Sequence, residues 1–151
     1  MLRAYTAAVL ATEGIILELL FLNTLPDKEE YYELYQSTGW DPEGRWTSTL
    51  LQNSLINSWY IVSVIKDGRL AAAGRIISDG VIQCIICDVI VSPECQGLGI
   101  GTMVMDRLIG HCKTEGICWI QLSAASGKAA FYERFGFVPR AADAPGMSLL
   151  L

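Results

Sequence analysis

The sequence is short of basic residues. Its 151 residues include 11 lysines and arginines against 16 aspartates and glutamates, which gives a formal net charge of -5. Proteins that bind nucleic acids usually carry a basic patch, so we expect no nucleic-acid partner. The acidic balance is compatible with a cationic substrate such as an amine, although mild acidity is also common in soluble proteins generally.

The sequence also lacks a long, uninterrupted apolar run. Residues 1–21 are largely apolar, but Thr12, Glu13 and Gly14 interrupt them. A secretory signal has an unbroken apolar stretch of about 7–15 residues, and a membrane-spanning helix needs about 18 apolar residues. We therefore expect a cytoplasmic protein with no membrane partner, and we expect residues 1–14 to form a loosely ordered extension.

Histidine is nearly absent, and cysteine pairs at metal-binding spacing are scarce. His111 is the only histidine, and Cys84 and Cys87 form the only CxxC pair. Both cysteines lie in an apolar, β-branched run, where residues three apart point to opposite faces of a strand. We therefore predict that they pack in the core, and we expect no metal. The odd number of cysteines, five in all, indicates reduced thiols.

Apolar runs separated by turn residues make up the middle of the chain. No internal repeat or low-complexity tract interrupts them. The β-rich runs over residues 59–65, 69–77 and 81–91 are separated by Lys66-Asp67-Gly68 and Ser78-Asp79-Gly80, which are hairpin signals. These runs predict three antiparallel strands in a meander.

Helices and further strands are predicted on both sides of this meander. We predict strands over residues 15–22, 118–123 and 148–151, and helices over residues 28–37, 45–57, 99–115 and 127–135. The buried face of the third helix is marked by apolar residues four apart, namely Ile100, Val104, Leu108 and Cys112. The order predicts an α/β (α+β) fold: a single domain over residues 1–151, with a mixed central sheet, an antiparallel meander followed by a β-α-β unit, flanked by helices.

A glycine-rich turn joins the last strand of the meander to the third helix. It contains Gly97, Gly99 and Gly101, and glycine allows the backbone to adopt positive φ and to approach a ligand closely. The first N–H groups of a helix lack intrahelical partners and, with the helix dipole, form an anion site that suits a pyrophosphate. The spacing matches neither a P-loop nor a GxGxxG loop. The alternative is a helix-entry turn in which glycine serves packing alone.

Two motifs in the sequence resemble those of a known family. Gln96-x-x-Gly99-x-Gly101 resembles the Q/R-x-x-G-x-G/A signature of the GNAT acetyltransferase superfamily, and Val91-Ser92-Pro93 ends the preceding strand as in that family. The second hallmark is a helical tyrosine followed by Gly-Phe, which Tyr132 and Gly136-Phe137 match. The resemblance covers roughly residues 30–140, and the two motifs together are specific.

The resemblance implies that the chain transfers an acetyl group from acetyl-CoA to a primary amine, carried by a small molecule or a peptide. It places the cofactor along the strand and the loop, at Val89, Ile90, Val91, Gln96, Gly97, Leu98, Gly99, Ile100, Gly101 and Thr102. The Val91 N–H would polarise the thioester carbonyl. Tyr132 would protonate the departing thiolate, a role that suits a phenol with a pKa of about 10.

One position departs from the family pattern. Many relatives carry an asparagine seven residues before the tyrosine, where it contacts the pantetheine arm. Ala125 holds that place here, and we expect Ser126 to substitute for the missing contact. Members of the family often dimerise, so the resemblance also implies a homodimer as a partner.

The resemblance implies that the acceptor pocket is built by the segment joining the first two helices and by a C-terminal hairpin near Met147. We expect Tyr35, Trp40 and Asp88 to line it, and aromatic walls would suit an aralkyl amine. The alternative is that the aromatic side chains pack the first helix on the sheet. The general base is left open between Asp88, Glu94 and a water molecule.

Two other classes of function compete with the transferase. One is a non-catalytic acyl-CoA-binding or regulatory domain on the same fold, and the presence of Tyr132 argues against it. The other is an interaction module without a CoA site, which requires the glycine loop to be purely structural.

Overall fold

The computed structural model describes the backbone of residues 6–12 and 15–151 and the side chains from residue 18 onward. The chain divides into two compact units, one extending to Gln121 and the other spanning Leu122–Leu151. Each unit is described by itself. The prediction that residues 1–151 form a single domain stays a prediction.

The first unit is built on one sheet of six strands in the order β1-β2-β3-β4-β5-β6. The strands are β1 Thr6–Thr12, β2 Ile15–Leu22, β3 Tyr60–Lys66, β4 Arg69–Ser78, β5 Gln83–Val91 and β6 Trp119–Leu122. Successive strands pair antiparallel from β1 to β5. The predicted meander is therefore confirmed, and β1 adds a strand within residues that were expected to form a loose extension.

The sixth strand joins the sheet beside the start of β5. The amide of Trp119 donates to the carbonyl of Ile82, and the side-chain amide of Gln121 donates to Gln83. Both contacts advance in the same direction along the two chains, so β6 runs parallel to β5. Strand β6 has only four residues, and it therefore pairs only with the first half of β5. The predicted mixed sheet is confirmed.

Four helices and one short 3-10 turn complete the described elements. They are α1 Lys28–Gln36, α2 Ser48–Ile56, the 3-10 turn Pro93–Cys95, α3 Ile100–Thr114 and, in the second unit, α4 Ala129–Glu133. Asp27 caps α1 by accepting hydrogen bonds from the amides of Glu29 and Glu30. The predicted α1 and α3 are confirmed to within one residue at each end.

Helix α3 covers one face of the sheet. The predicted apolar face is confirmed, because Ile100, Val104, Leu108 and Cys112 are all buried. The helix approaches β4 closely at Gly74, where an added Cβ would lie 2.9 Å from side-chain atoms of both Leu108 and Val104. Glycine is therefore required here by the distance between helix and sheet.

Helices α1 and α2 cover the opposite face of the same sheet. Their buried side chains form a core cluster with strand residues: Tyr31, Leu34, Leu51, Leu55, Leu70, Ala73 and Ile90. Cys84 is buried and contacts Cys112 of α3, whereas Cys87 is only partly buried, so core packing holds for Cys84 alone. The two cysteines are three apart in the regular part of β5 and therefore face opposite sides, as predicted.

Three predicted boundaries are wrong. Helix α2 begins at Ser48 rather than at residue 45, because the Asp41 carboxylate accepts the amides of Arg45 and Trp46 and holds them in a turn. Helix α4 is limited to five residues. The strand predicted over residues 148–151 does not form: all four residues are exposed, three of them are leucines, and no strand pairs with them among the described residues.

Candidate active site

The loop between β5 and α3 forms a backbone cradle. Gly97 and Gly99 both have φ of 78°, which is in the left-handed region that favours glycine. Gly99 is the N-cap of α3, and the amide of Met103 makes a 3.2 Å bond to its carbonyl. The amides of Ile100 and Gly101 therefore precede the first intrahelical donor. Thr102 is the third residue of the helix.

The N-cap residue of α3 does not cap the helix. Gly99 has no side chain that could bond to the first turn. An added Cβ at Gly97 or at Gly99 would meet nothing within 4 Å, so both glycines border open space. Backbone amides that face open space at the positive end of a helix dipole form a binding site for an anion such as a pyrophosphate.

The end of β5 presents two amides away from β4. The amide of Ser92 donates to the carbonyl of Ala71 at 2.8 Å, and Val91 lies opposite Ala72 in the register. Because N–H groups alternate along an antiparallel strand, those of Val89 and Val91 point to the opposite edge. The short β6 pairs with the other half of β5, so these amides remain available to a ligand.

Gln96 connects the loop to this strand edge. Its side-chain amide donates to the carbonyl of Val91 at 3.1 Å. The bond fixes the loop against the strand that precedes it. Leu98 is half-buried, whereas Gly97 and Gly99 are exposed, so the loop is anchored by its side chains and presents its backbone.

A β-bulge interrupts β5 at Asp88. The register shifts between Ala73 and Arg75, so that Asp88 and Val89 together oppose Gly74. Asp88 has φ of 49°, an uncommon value for a residue other than glycine. Bulges re-aim side chains and are over-represented near functional sites. Here the bulge puts Asp88 on the α1/α2 face, opposite to Val89 as predicted.

The Asp88 carboxylate forms an ion pair with Arg75. The Nε–Oδ2 distance is 2.6 Å, and the two side chains are only 15% and 18% exposed. Burial lowers the pKa of Arg75, but attraction by Asp88 and their hydrogen bond outweigh it and raise that pKa overall. The guanidinium therefore remains charged and occupies one oxygen of the carboxylate.

A group of aromatic side chains lies on α1 and directly after it. The centroid of the Tyr35 ring is 6.5 Å from that of Tyr31 and 5.9 Å from that of Trp40, and Trp40 is 42% exposed. Burial first, and then Asp88, raise the pKa of both tyrosines, so both hydroxyls remain protonated. Tyr31 packs in the core, in agreement with the alternative that aromatic residues pack the first helix on the sheet. Tyr35 and Trp40 remain partly open to solvent.

The second unit carries the predicted proton donor. Tyr132 is half-buried on α4, in edge contact with the rings of Phe131 at 5.0 Å and Phe137 at 6.3 Å. Burial raises the pKa of Tyr132, so its hydroxyl is protonated at neutral pH. Ser126 is exposed in the loop before this helix. The roles of both residues stay predictions.

The structure keeps the predicted strand residues and the glycine loop side by side. Asp88, Val89 and Val91 share one end of β5, and the glycine loop follows directly. Arg75 was missed, although an arginine in the middle of the largely apolar strand β4 was a usable signal. No group of three or more His, Cys, Asp or Glu side chains that could hold a metal ion exists among the described residues.

A family model described as the acetyltransferase (GNAT) family matches residues 22–137. This match covers most of the chain and includes both motifs, so the chain belongs to the GNAT acetyltransferase family, as the resemblance indicated. Membership supports acyl transfer as the class of reaction. Within the described part of the chain, no helix is long and apolar enough to cross a membrane.

Individual relatives carry N-acetyltransferase names. Serotonin N-acetyltransferase 2, chloroplastic, from Oryza sativa subsp. japonica is 41% identical over 70 residues, which are 46% of this chain and 35% of that protein. An uncharacterized N-acetyltransferase ycf52-like from Prochlorococcus marinus is 34% identical over 112 residues, or 74% of this chain and 62% of that protein. The matched part thus spans about a third of the length of the rice protein.

Solved structures share the fold. A probable acetyltransferase of unknown function from Staphylococcus aureus superposes with a TM-score of 0.77 at 26% identity, over 88% of this chain and 99% of that chain. A putative GNAT acetyltransferase from Xanthomonas campestris gives a TM-score of 0.73 at 27% identity, over 88% and 93% of the two chains.

Proposed function

We propose that this protein is an N-acetyltransferase that moves an acetyl group from acetyl-CoA to a primary amine by direct attack. The observation that carries the proposal is the uncapped start of α3 behind two open glycines, next to a strand edge with outward amides. The first feature suits a diphosphate and the second suits the amides of a pantetheine arm.

The chemistry proposed for this chain needs few side chains. The amine nitrogen attacks the thioester carbonyl, the new C–N bond forms, and the C–S bond breaks. The backbone amide of Val91, or that of Val89 next to the bulge, would stabilise the oxyanion. The bound ammonium group first releases one proton to water, because only a neutral amine can attack. The nitrogen releases a second proton to water as the amide forms. We propose that Tyr132 donates a proton to the departing thiolate and that its phenolate recovers one from solvent.

We further propose that the acceptor is an aralkyl amine. The partly exposed rings of Tyr35 and Trp40 would contact its apolar part, and the Asp88 carboxylate would attract its ammonium group. The rice relative is named for serotonin, which is an amine of this class. A peptide N-terminus is the competing acceptor.

Ligand binding tests the first part of the proposal. CoA at 100 times its dissociation constant should stabilise the protein by about 2.7 kcal/mol, visible as a rise in melting temperature. Pantetheine, which lacks the diphosphate, is the matched control and should stabilise the protein far less. Equal shifts for both ligands would contradict a diphosphate site at α3.

Turnover tests the second part. Thiol release from acetyl-CoA should depend on an added amine, in a panel of serotonin, 2-phenylethylamine, an aliphatic diamine and a short peptide with a free N-terminus. We expect the two aralkyl amines to be the best acceptors. CoA binding without amine-dependent thiol release would identify a non-catalytic CoA-binding domain instead.

A further inference from the structure

The side chains beside the bulge form a polar network that joins three elements. Arg75 on β4 donates through Nε to Oδ2 of Asp88 at 2.6 Å and through Nη1 to the hydroxyl of Ser58 at 3.4 Å. That hydroxyl donates to the carbonyl of Ser54 near the end of α2 at 2.7 Å. The hydroxyl of Ser58 therefore holds the guanidinium of Arg75, and the guanidinium in turn fixes Oδ2 of Asp88.

One oxygen of the Asp88 carboxylate lacks a hydrogen bond within the described residues. Oδ2 is taken by Arg75, whereas no bond to Oδ1 is found there. The side chain of Asp88 is 18% exposed, so a ligand can reach the second oxygen.

The second oxygen is best matched by a cation that donates hydrogen bonds. Oδ1 of Asp88 can only accept. An ammonium group has three donors and a positive charge, whereas an alcohol has one donor and no charge. Asp88 also lies directly before Val89, whose amide points to the strand edge where the thioester is proposed to lie.

We propose that Arg75 is a positioning residue, which holds Asp88 so that Oδ1 binds the ammonium group of the acceptor amine. This inference rests on the proposed function and adds to it the residue that sets recognition of a charged acceptor. The step is one of binding alone, and no bond is made or broken in it. Without Arg75, the partly buried carboxylate would lose the charged partner that fixes its orientation.

A double-mutant cycle tests the role of Arg75. We compare the wild type with Arg75→Met, Asp88→Asn and the double variant, measuring kcat and KM for 2-phenylethylamine and the dissociation constant for CoA. Each single change should raise the KM for the amine about tenfold or more while CoA affinity is kept. Because Arg75 acts through Asp88, the double variant should be no worse than the worse single variant.

Two further variants separate positioning from a merely structural role. Arg75→Lys keeps a cation beside Asp88 and should recover most of the amine affinity. Arg69→Met is the matched control, since Arg69 lies on the same strand but is 76% exposed, and it should leave the KM unchanged. In binding measurements without acetyl-CoA, 2-phenylethylamine and neutral 2-phenylethanol should differ in affinity for the wild type and lose that difference in Arg75→Met.

The outcomes separate this inference from the proposed function. An active wild type whose amine KM is unchanged in Arg75→Met, or whose two single effects add in the double variant, overturns the positioning role alone. If Arg75→Met fails to fold, Arg75→Lys and Asp88→Asn still decide: unchanged amine KM in Asp88→Asn overturns the inference. A wild type that transfers to no amine overturns the proposed function first.

Discussion

The imidazole of His111 on α3 stacks on the ring of Tyr60 on β3, with centroids 3.7 Å apart and planes within 7°. Trp59 contacts the same imidazole at 4.7 Å. Burial lowers the pKa of His111, against a smaller opposing effect of Glu115. The only histidine of the chain therefore fixes α3 to the sheet in its neutral form.

This contact predicts a dependence of stability on pH. An unfolded histidine titrates near pH 6.5, and the folded value is lower, so protonation favours the unfolded state. The contribution of His111 is complete above about pH 6.5 and is lost as the pH falls through the lower folded pKa. Melting temperatures measured from pH 8 to pH 5 should fall more steeply for the wild type than for His111→Phe, which keeps an aromatic stack. Parallel curves for the two proteins would contradict the prediction.

The close approach of α3 to β4 predicts a cost for any side chain at residue 74. Gly74→Ala should lower the free energy of unfolding by about 1–3 kcal/mol, because the new methyl overlaps Leu108 and Val104 in a packed core. Gly110→Ala, which changes a glycine on α3, is the control. Nothing lies within 4 Å of its Cβ position, so the change should stabilise the helix by about 0.5–1 kcal/mol. Chemical denaturation of both variants measures the difference.

The cysteines should differ sharply in reactivity. Cys84 and Cys112 are buried with their Sγ atoms 3.4 Å apart, whereas Cys118 is exposed. Burial and the neighbouring thiol raise the pKa of Cys84 to about 12, so it has almost no thiolate at neutral pH. Iodoacetamide on the folded protein should label Cys118 first, as read by peptide mass spectrometry. Equal labelling of Cys84 under native conditions would be inconsistent with this core, and the unfolded protein provides the reference.

The candidate site was predictable only where it is local in sequence. The strand, the glycines and the start of α3 are consecutive, so residues 89–102 could be interpreted from spacing alone. Arg75 and Asp88 come from two different strands, and only the bulge opposite Gly74 brings their side chains together. The wrong strand over residues 148–151 has a related cause, because an apolar run does not specify whether another strand is available to pair with it.

The proton donor can be tested within the second unit. Tyr132→Phe removes only the hydroxyl and keeps the ring contacts with Phe131 and Phe137. We expect turnover to fall by about 10²–10⁴-fold, the usual range for loss of a general acid, with CoA affinity nearly unchanged. Phe131→Leu is a control for packing without a change in any hydroxyl. Equal turnover of Tyr132→Phe and wild type would remove Tyr132 from the mechanism.

The glycine that begins α3 provides the most direct test of the diphosphate site. Gly99→Asp places a side chain on a residue with φ of 78° and a negative charge at the start of the helix, so it should abolish CoA binding by bulk and by repulsion. Gly116→Asp is the matched control, because Gly116 has φ of 77° beyond the other end of α3 and equally open space around it. Both variants place a side chain on a residue with positive φ, but only Gly99→Asp places it at the start of the helix. Calorimetric titration with CoA should show binding to Gly116→Asp and none to Gly99→Asp, and binding to both would place the diphosphate elsewhere.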